Sequence, residues 1–190
     1  RDSEARRIQS HVVSHGRPGL PSERPPPKRV LQAVEALTRR EPLEVVHRVE
    51  DPRDDGFVKY LLRSPDGALS EAVRIPLEKE GCYSVCLSSQ VGCAMRCAFC
   101  ATGRLGYTRD LEAWEMVSAF VRVREDCPGR LSGAVFMGQG EPLLNYDAVV
   151  KAARILSDPC GGRIKAELIS ISTVGIVPAI HRYAAEGHRY

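Results

Sequence analysis

The 190-residue sequence has no apolar run approaching the ~20 residues that a membrane-spanning helix needs, so no segment reads as a span. No stretch carries the pattern of a secretion signal. Its seven cysteines are therefore not read as a secreted disulfide framework; in a cytoplasmic protein they are more often metal ligands or catalytic groups. The five histidines, His11, His15, His47, His181 and His188, are scattered and lie outside every motif. No internal repeat is visible, which argues against a solenoid. The excess of positive charge is small, +3 with a pI near 8.5. Such a balance permits a nucleic-acid partner without arguing for one. What is present is an ordinary globular share of hydrophobic residues, 43%. The length suits one domain with a small appendage. The chain opens on Arg1 and closes at Tyr190 on a helix-to-strand step, and it reads as part of a longer protein.

Residues 1–29 are rich in Arg and Pro and include Arg24-Pro25-Pro26-Pro27-Lys28, so they read as a polyproline-like linker. Residues 28–40 have Val30, Leu31, Val34 and Leu37 at helical spacing. Residues 43–49 read as a strand because of Val45, Val46 and Val49. A β-hairpin follows: Phe57–Arg63, the turn Ser64-Pro65-Asp66-Gly67, and the return strand Ser70–Pro76. Tyr83–Ser88 is the next strand. From there strand and helix alternate: helix Leu111–Arg124, strand Ala134–Met137, helix Asp147–Leu156, strand Leu168–Ser172, helix Val177–Glu186. Alternating units of this kind build a parallel sheet with right-handed crossovers. Only three units fit, against the eight of a closed barrel. The expected organisation is an N-terminal segment over 1–50 and, over 51–190, an incomplete α/β core led by a hairpin.

In α/β folds, ligands bind at the carboxyl ends of the strands. Three segments rich in chemistry fall at such ends. The first is Cys93-Ala-Met-Arg-Cys97-Ala-Phe-Cys100. Three thiolates on one tight loop suit an iron–sulfur cluster, and a three-cysteine set leaves one iron open to a small molecule. The competing reading is a zinc site completed by Cys82 or Cys86. Structural zinc sites usually use two well-separated ligand pairs, and no second pair follows here. The spacing C-x3-C-x2-C resembles the signature of the radical S-adenosylmethionine (SAM) enzymes. Phe99 matches their preference for an aromatic residue before the last cysteine, where it would pack near the adenine of SAM; ordinary core packing is the alternative.

The second segment is Gly138-Gln139-Gly140-Glu141-Pro142, which resembles the radical SAM segment that holds the amino group of SAM. An ammonium needs carbonyl or carboxylate acceptors, and glycine lets a ligand approach the backbone. A plain strand-to-helix turn would also explain it. The third is Ser172-Thr173-Val174-Gly175, whose hydroxyls could bond SAM or cap the following helix. Cys82, Cys127 and Cys160 show no ligand spacing. Arg104 and Arg109 flank the cysteine loop and read as phosphate contacts or a solvated face.

The run Cys86-Leu-Ser-Ser-Gln-Val-Gly-Cys93, with Met137-Gly-Gln-Gly-Glu-Pro-Leu-Leu-Asn145 and Ile171-Ser-Thr-Val-Gly-Ile-Val-Pro178, closely resembles the RlmN/Cfr family of radical SAM RNA methyltransferases. The likeness runs in order over about residues 57–187. It implies a partial radical SAM (β/α) barrel with a 4Fe–4S cluster on Cys93, Cys97 and Cys100 and SAM contacts at Gly140, Glu141 and Ser172. It implies methylation of C2 of adenine in RNA, 23S rRNA and tRNA being the targets, with an electron donor such as flavodoxin. A 5′-deoxyadenosyl radical would take hydrogen from a methyl group carried by a second cysteine, giving a protein–RNA adduct. Glu71 matches the family's proton acceptor. Cys86 matches the cysteine that resolves the adduct by forming a disulfide. The methyl-carrying cysteine does not map onto this sequence, and the 190-residue chain alone is expected to be inactive. The alternatives are another radical SAM reaction, of methylthiotransferase or activase type, and a zinc-stabilised RNA-binding module.

Overall fold

The computed structural model describes residues 2–15, 25–37, 43–50 and 56–190. Helix α1, Asp2–Gln9, runs on into a π-helical turn at Ser10–Ser14. This corrects the reading of residues 1–29 as linker, at least over 2–14. The prolines that argued against a helix all lie at Pro18 or later, and the first fifteen residues hold neither Pro nor Gly. The turn docks: Val13 is buried in the main core, and Ser14 Oγ donates to Gly161 O at 2.6 Å. Helix α2 spans Lys28–Leu37; residues 38–40 of the expected helix lie outside the described residues. Val30 N and Leu31 N both donate to Pro27 O, so the proline run ends where the helix begins.

Strands β1 (Glu44–Glu50), β2 (Val58–Arg63) and β3 (Leu69–Pro76) form an antiparallel meander. The β2–β3 turn closes with Gly67 N on Ser64 O and Ala68 N on Asp66 Oδ1. Strand β4 (Cys82–Leu87) pairs antiparallel with β3. A short ribbon, β5 (Gln90–Gly92), then precedes helix α3 (Ala101–Leu105) and strand β6 (Tyr107–Asp110). Helix α4 (Ala113–Glu125), β7 (Arg130–Phe136), α5 (Tyr146–Ser157), β8 (Ile169–Ile171) and α6 (Val177–Glu186) complete the chain. The main sheet has the order β1-β2-β3-β4-β7-β8, and its last two pairings are parallel. The second sheet is β5-β6. The hairpin and the three βα units expected from the sequence are all present; α1 and the β5–β6 ribbon were not expected. Among the described residues no helix is long and apolar enough to cross a membrane.

Side chains alternate across a strand, and here the two faces differ. Ala72 of β3, Val85 and Leu87 of β4, and Ala134 and Phe136 of β7 are buried. Met116, Phe120 and Val123 of α4 and Val149, Ala152, Ala153 and Leu156 of α5 belong to the same core. The other face carries Glu71, Val73, Ser84, Cys86 and Val135, all half-buried, with Ser170 exposed. Register places Cys86 beside Val73 on one side and Val135 on the other, and Val135 beside Ser170. Parallel strands are usually covered on both faces. The polar content of this second face marks it as the side open to ligands.

Candidate active site

The β5–β6 ribbon frames the cysteine loop. Cys93 N donates to Gly106 O at 2.8 Å, closing the loop at its base. Gly92 has φ +76°, and a Cβ there would lie 1.9 Å from Gly106 O, so both backbone and space require glycine. Cys93, Cys97 and Cys100 are free, partly exposed thiols. Cys100 precedes α3, and the N–H groups of Gly103 and Thr102 point at its sulfur and hold its thiol below the ordinary range. Phe99 is 91% exposed, which excludes the core-packing reading.

A cubane gives each cysteine its own iron, so the three sulfurs need not converge on one ion. Among the described residues no three His, Cys, Asp or Glu side chains do converge on one ion. A zinc site completed by Cys82 or Cys86 would require that convergence. The donor set, three accessible soft thiols on one loop with amide donors behind the last, fits an iron–sulfur cluster.

Cys86 and Glu71 lie on the polar face of β4 and β3, two residues apart in register. Burial pushes the Cys86 thiol up; the N–H groups of Met137 and Gly138 oppose that rise, and the charge of Glu71 adds to it. A Cβ on Gly138 would sit 3.2 Å from Cys86 Sγ, so glycine leaves the sulfur its space. Glu71 pairs with Lys59, Nζ to Oε1 at 2.6 Å, rather than standing free as a solvated strand residue. Ser88 Oγ donates to Glu71 O at 2.6 Å and locks β3 to the end of β4.

At the end of β7, Gln139 O accepts from Ser89 N and Gln90 N. Gly140 has φ +104°, and a Cβ there would lie 2.7 Å from the Gln90 side chain. Glu141 is 2% exposed. Its Oε1 accepts from Leu143 N at 2.9 Å and its Oε2 from Val174 N at 2.8 Å. The Glu141 carboxylate thus also straps the β7 and β8 ends together. Ser172 N donates to Phe136 O, and Thr173 Oγ1 accepts from Gly175 N. The residue capping α6 is Ile176, so Ser172 and Thr173 are not helix caps.

The sequence reading missed the residues that knit these ends together. Gln90 Oε1 accepts from Glu141 N, and Gln90 Nε2 donates to Asp110 Oδ1. Asn145 Nδ2 donates to Ser89 O and to Leu111 O. The Ser-Ser-Gln prefix and the Asn closing the second motif are the struts between the strand ends. Arg109 is tied into the fold rather than left on a solvated face. Its guanidinium is bidentate to Glu115, which is 1% exposed, and also holds Asp66 of the hairpin turn. Arg104 is exposed.

A mixed sheet, parallel over β4, β7 and β8, with a three-thiol loop at its strand ends defines an α/β iron–sulfur protein of the cluster-plus-small-molecule class. A sequence profile of the radical SAM superfamily matches residues 87–189. The chain belongs to that superfamily, whose cofactors are a 4Fe–4S cluster and SAM. It is 53% identical to a probable RNA methyltransferase of Anaeromyxobacter sp. over 98% of this chain and 54% of the relative. It is 47% identical to one of Myxococcus xanthus, covering 97% and 52%. A probable dual-specificity RNA methyltransferase RlmN of Synechococcus sp. is 50% identical over 70% of this chain and 36% of the relative. A crystal structure of a radical SAM methyltransferase from Sphaerobacter thermophilus superimposes with TM-score 0.83 at 36% identity, covering 98% of this chain and 55% of the other. The chain spans about half the length of the relatives that it matches along nearly all of its own.

Proposed function

We propose that these residues form the cluster- and SAM-binding half of a radical SAM RNA methyltransferase that acts on C2 of adenine in 23S rRNA and tRNA. The observation that carries this is that Cys86 and Glu71 lie two residues apart in register on the polar face of β4 and β3. Neither is needed for a cluster, whereas a thiol and a carboxylate side by side are the groups that the adduct chemistry would use. Relatives named as RNA methyltransferases over the same residues support the reading.

Cys93, Cys97 and Cys100 would hold the cluster, and Gly140, Glu141 and Ser172 would border SAM. When bound, the cluster and SAM supply the one-electron chemistry that an unreactive adenine carbon demands. Exposed Phe99 is free to cover the adenine of SAM. Glu71 would accept the proton released from C2. Cys86, as thiolate, would attack the sulfur of a second, methylene-bridged cysteine; that S–C bond breaks, the disulfide forms, the bond's electron pair stays on the methylene carbon, and that carbon takes up a proton to become the methyl group of the released base. The Met137 and Gly138 N–H groups would stabilise the attacking thiolate. An electron donor of flavodoxin type and a cytoplasmic setting belong to the same proposal.

The test is anaerobic purification followed by metal analysis and incubation of the complete protein with RNA. Iron, sulfide and a broad brown absorbance are expected, together with 2-methyladenosine in the digested RNA. Bound zinc in a colourless protein would overturn the cluster reading. A product methylated at C8, or a methylthio group, would overturn the assignment to C2.

A further inference from the structure

The cysteine loop and helix α3 present a surface without carboxylates. Residues 91–109 hold Arg96, Arg104 and Arg109 and no Asp or Glu. Arg109 is taken up by Glu115 and Asp66. Arg96 and Arg104 are exposed, and among the described residues neither side chain has a hydrogen-bond or ion-pair partner. The chain next to Arg104 adds apolar area, with Leu105 74% and Tyr107 46% exposed. Helix α3 rests directly on the loop. A Cβ on Gly103 would lie 2.7 Å from Cys97 O and 3.1 Å from Arg96 C, so glycine lets the helix press on the backbone of a candidate cluster ligand. Arg96 itself has φ +49°, a left-handed backbone uncommon outside glycine. The two unpaired guanidinium groups thus belong to one patch, separated from the cysteines by one short helix and its loop.

We infer that this patch, made of Arg96, Arg104, Leu105 and Tyr107, is the docking surface of the electron donor, a small acidic protein that carries a one-electron cofactor. The inference rests on the proposed radical SAM reading and adds the place where its donor sits. The donor's cofactor gives up one electron, the cluster gains it, and no atom moves. Electron transfer falls off steeply with distance, so a donor must settle where little protein separates it from the cluster. Helix α3, lying on Cys97, is such a place. Unpaired guanidinium groups attract surface carboxylates and steer the encounter. Leu105 and Tyr107 supply the apolar centre that an interface needs. Electron-transfer encounters are small and weak, so a patch of this size suffices. An RNA backbone would also be drawn to the two arginines, but its phosphates gain nothing from an exposed Leu105.

The experiment uses the complete, cluster-loaded protein as wild type, as Arg104→Glu, as Arg104→Lys and as the double variant Arg96→Asn with Arg104→Glu. Asn tolerates the left-handed backbone at position 96. The probe is an acidic flavodoxin, its binding read by surface plasmon resonance over a series of salt concentrations. The wild type is expected to bind it, and to bind it less tightly as salt rises. At low salt Arg104→Glu should bind about tenfold more weakly, the double variant more weakly still, and Arg104→Lys close to wild type. Iron content, Tm and affinity for substrate RNA should match the wild type throughout. Release of 5′-deoxyadenosine should slow in Arg104→Glu when reduced flavodoxin supplies the electron, and keep the wild-type rate when dithionite replaces it. Equal flavodoxin affinity in the wild type and the charge-reversed variants overturns the inference. So does an equal loss with dithionite or a fallen iron content, because Arg104 would then be supporting the loop. A fall in RNA affinity with flavodoxin binding intact makes the patch an RNA contact and overturns it likewise. A wild type that holds no iron overturns the radical SAM reading itself.

Discussion

Replacing Glu141 by Ala should uncouple the ends of β7 and β8 without touching the cysteine loop. The carboxylate accepts two backbone N–H groups, from Leu143 and Val174. Leu143 is 6% exposed, so its N–H would be left without a partner, at about 2 kcal/mol. Val174 is 58% exposed, so water can replace the carboxylate there and the loss is about 1 kcal/mol. The sum of about 3 kcal/mol corresponds to a Tm drop of roughly 6–12 °C for a chain of this size. Calorimetry gives the size of the effect and amide hydrogen exchange gives its location. The Val174 and Leu143 amides should lose protection, while the Cys93 amide, which is bonded to Gly106 O, keeps it. Glu141→Gln retains one acceptor oxygen and should fall between the two. A Tm within about 2 °C of wild type, with both amides still protected, would refute the strap.

Three further outcomes follow from the site. Burial alone would raise the pKa of Glu115, but hydrogen bonds from Arg109, Ser64 and Glu112 N hold it below the ordinary carboxylate value. A depressed folded pKa contributes stability above the unfolded value, lost as pH falls through the folded one. Denaturant midpoints should therefore decline below about pH 4.5 in the wild type and less steeply in Glu115→Gln. In cluster-free protein, Cys86 should react with iodoacetamide with a midpoint above that of an ordinary thiol, and Glu71→Gln should lower that midpoint; an unchanged midpoint by peptide mass mapping would remove Glu71 from its surroundings. Gly92→Ala would force a Cβ onto Gly106 O and into a left-handed backbone costing about 1–3 kcal/mol. Iron content after reconstitution should collapse, and full loading would show the loop closure to be dispensable.

Elements with one buried stripe were legible in the sequence. Helix α4 shows Val117 and Phe120 at helical spacing, and both are buried. Its start moved from Leu111 to Ala113 because Glu112 and Glu115 form a reciprocal cap, a signal weaker to the eye than Ser or Thr. Strand β7 was seen only from Ala134, because Arg130 to Gly133 alternate between a core face and a polar one. Helix α1 was hidden by prolines that follow it. The cysteine loop and the strand-end motifs could be read because they are contiguous. The contacts of Gln90 with Asp110, of Asn145 with Ser89 and of Arg109 with Asp66 could not, since each joins residues far apart in the chain and no spacing encodes that.

The alternation on β3, β4 and β7 has a wider consequence. On β3 and β4, residues that hold the fold and residues that could do chemistry occupy opposite parities of the same short run, while on β7 a register shift at Ser132 resets the alternation. Exchanging Glu71, Ser84, Cys86 or Ser170 disturbs none of the hydrocarbon layer under α4 and α5. A change of reaction on this scaffold can thus be made one parity at a time, with stability left on the other.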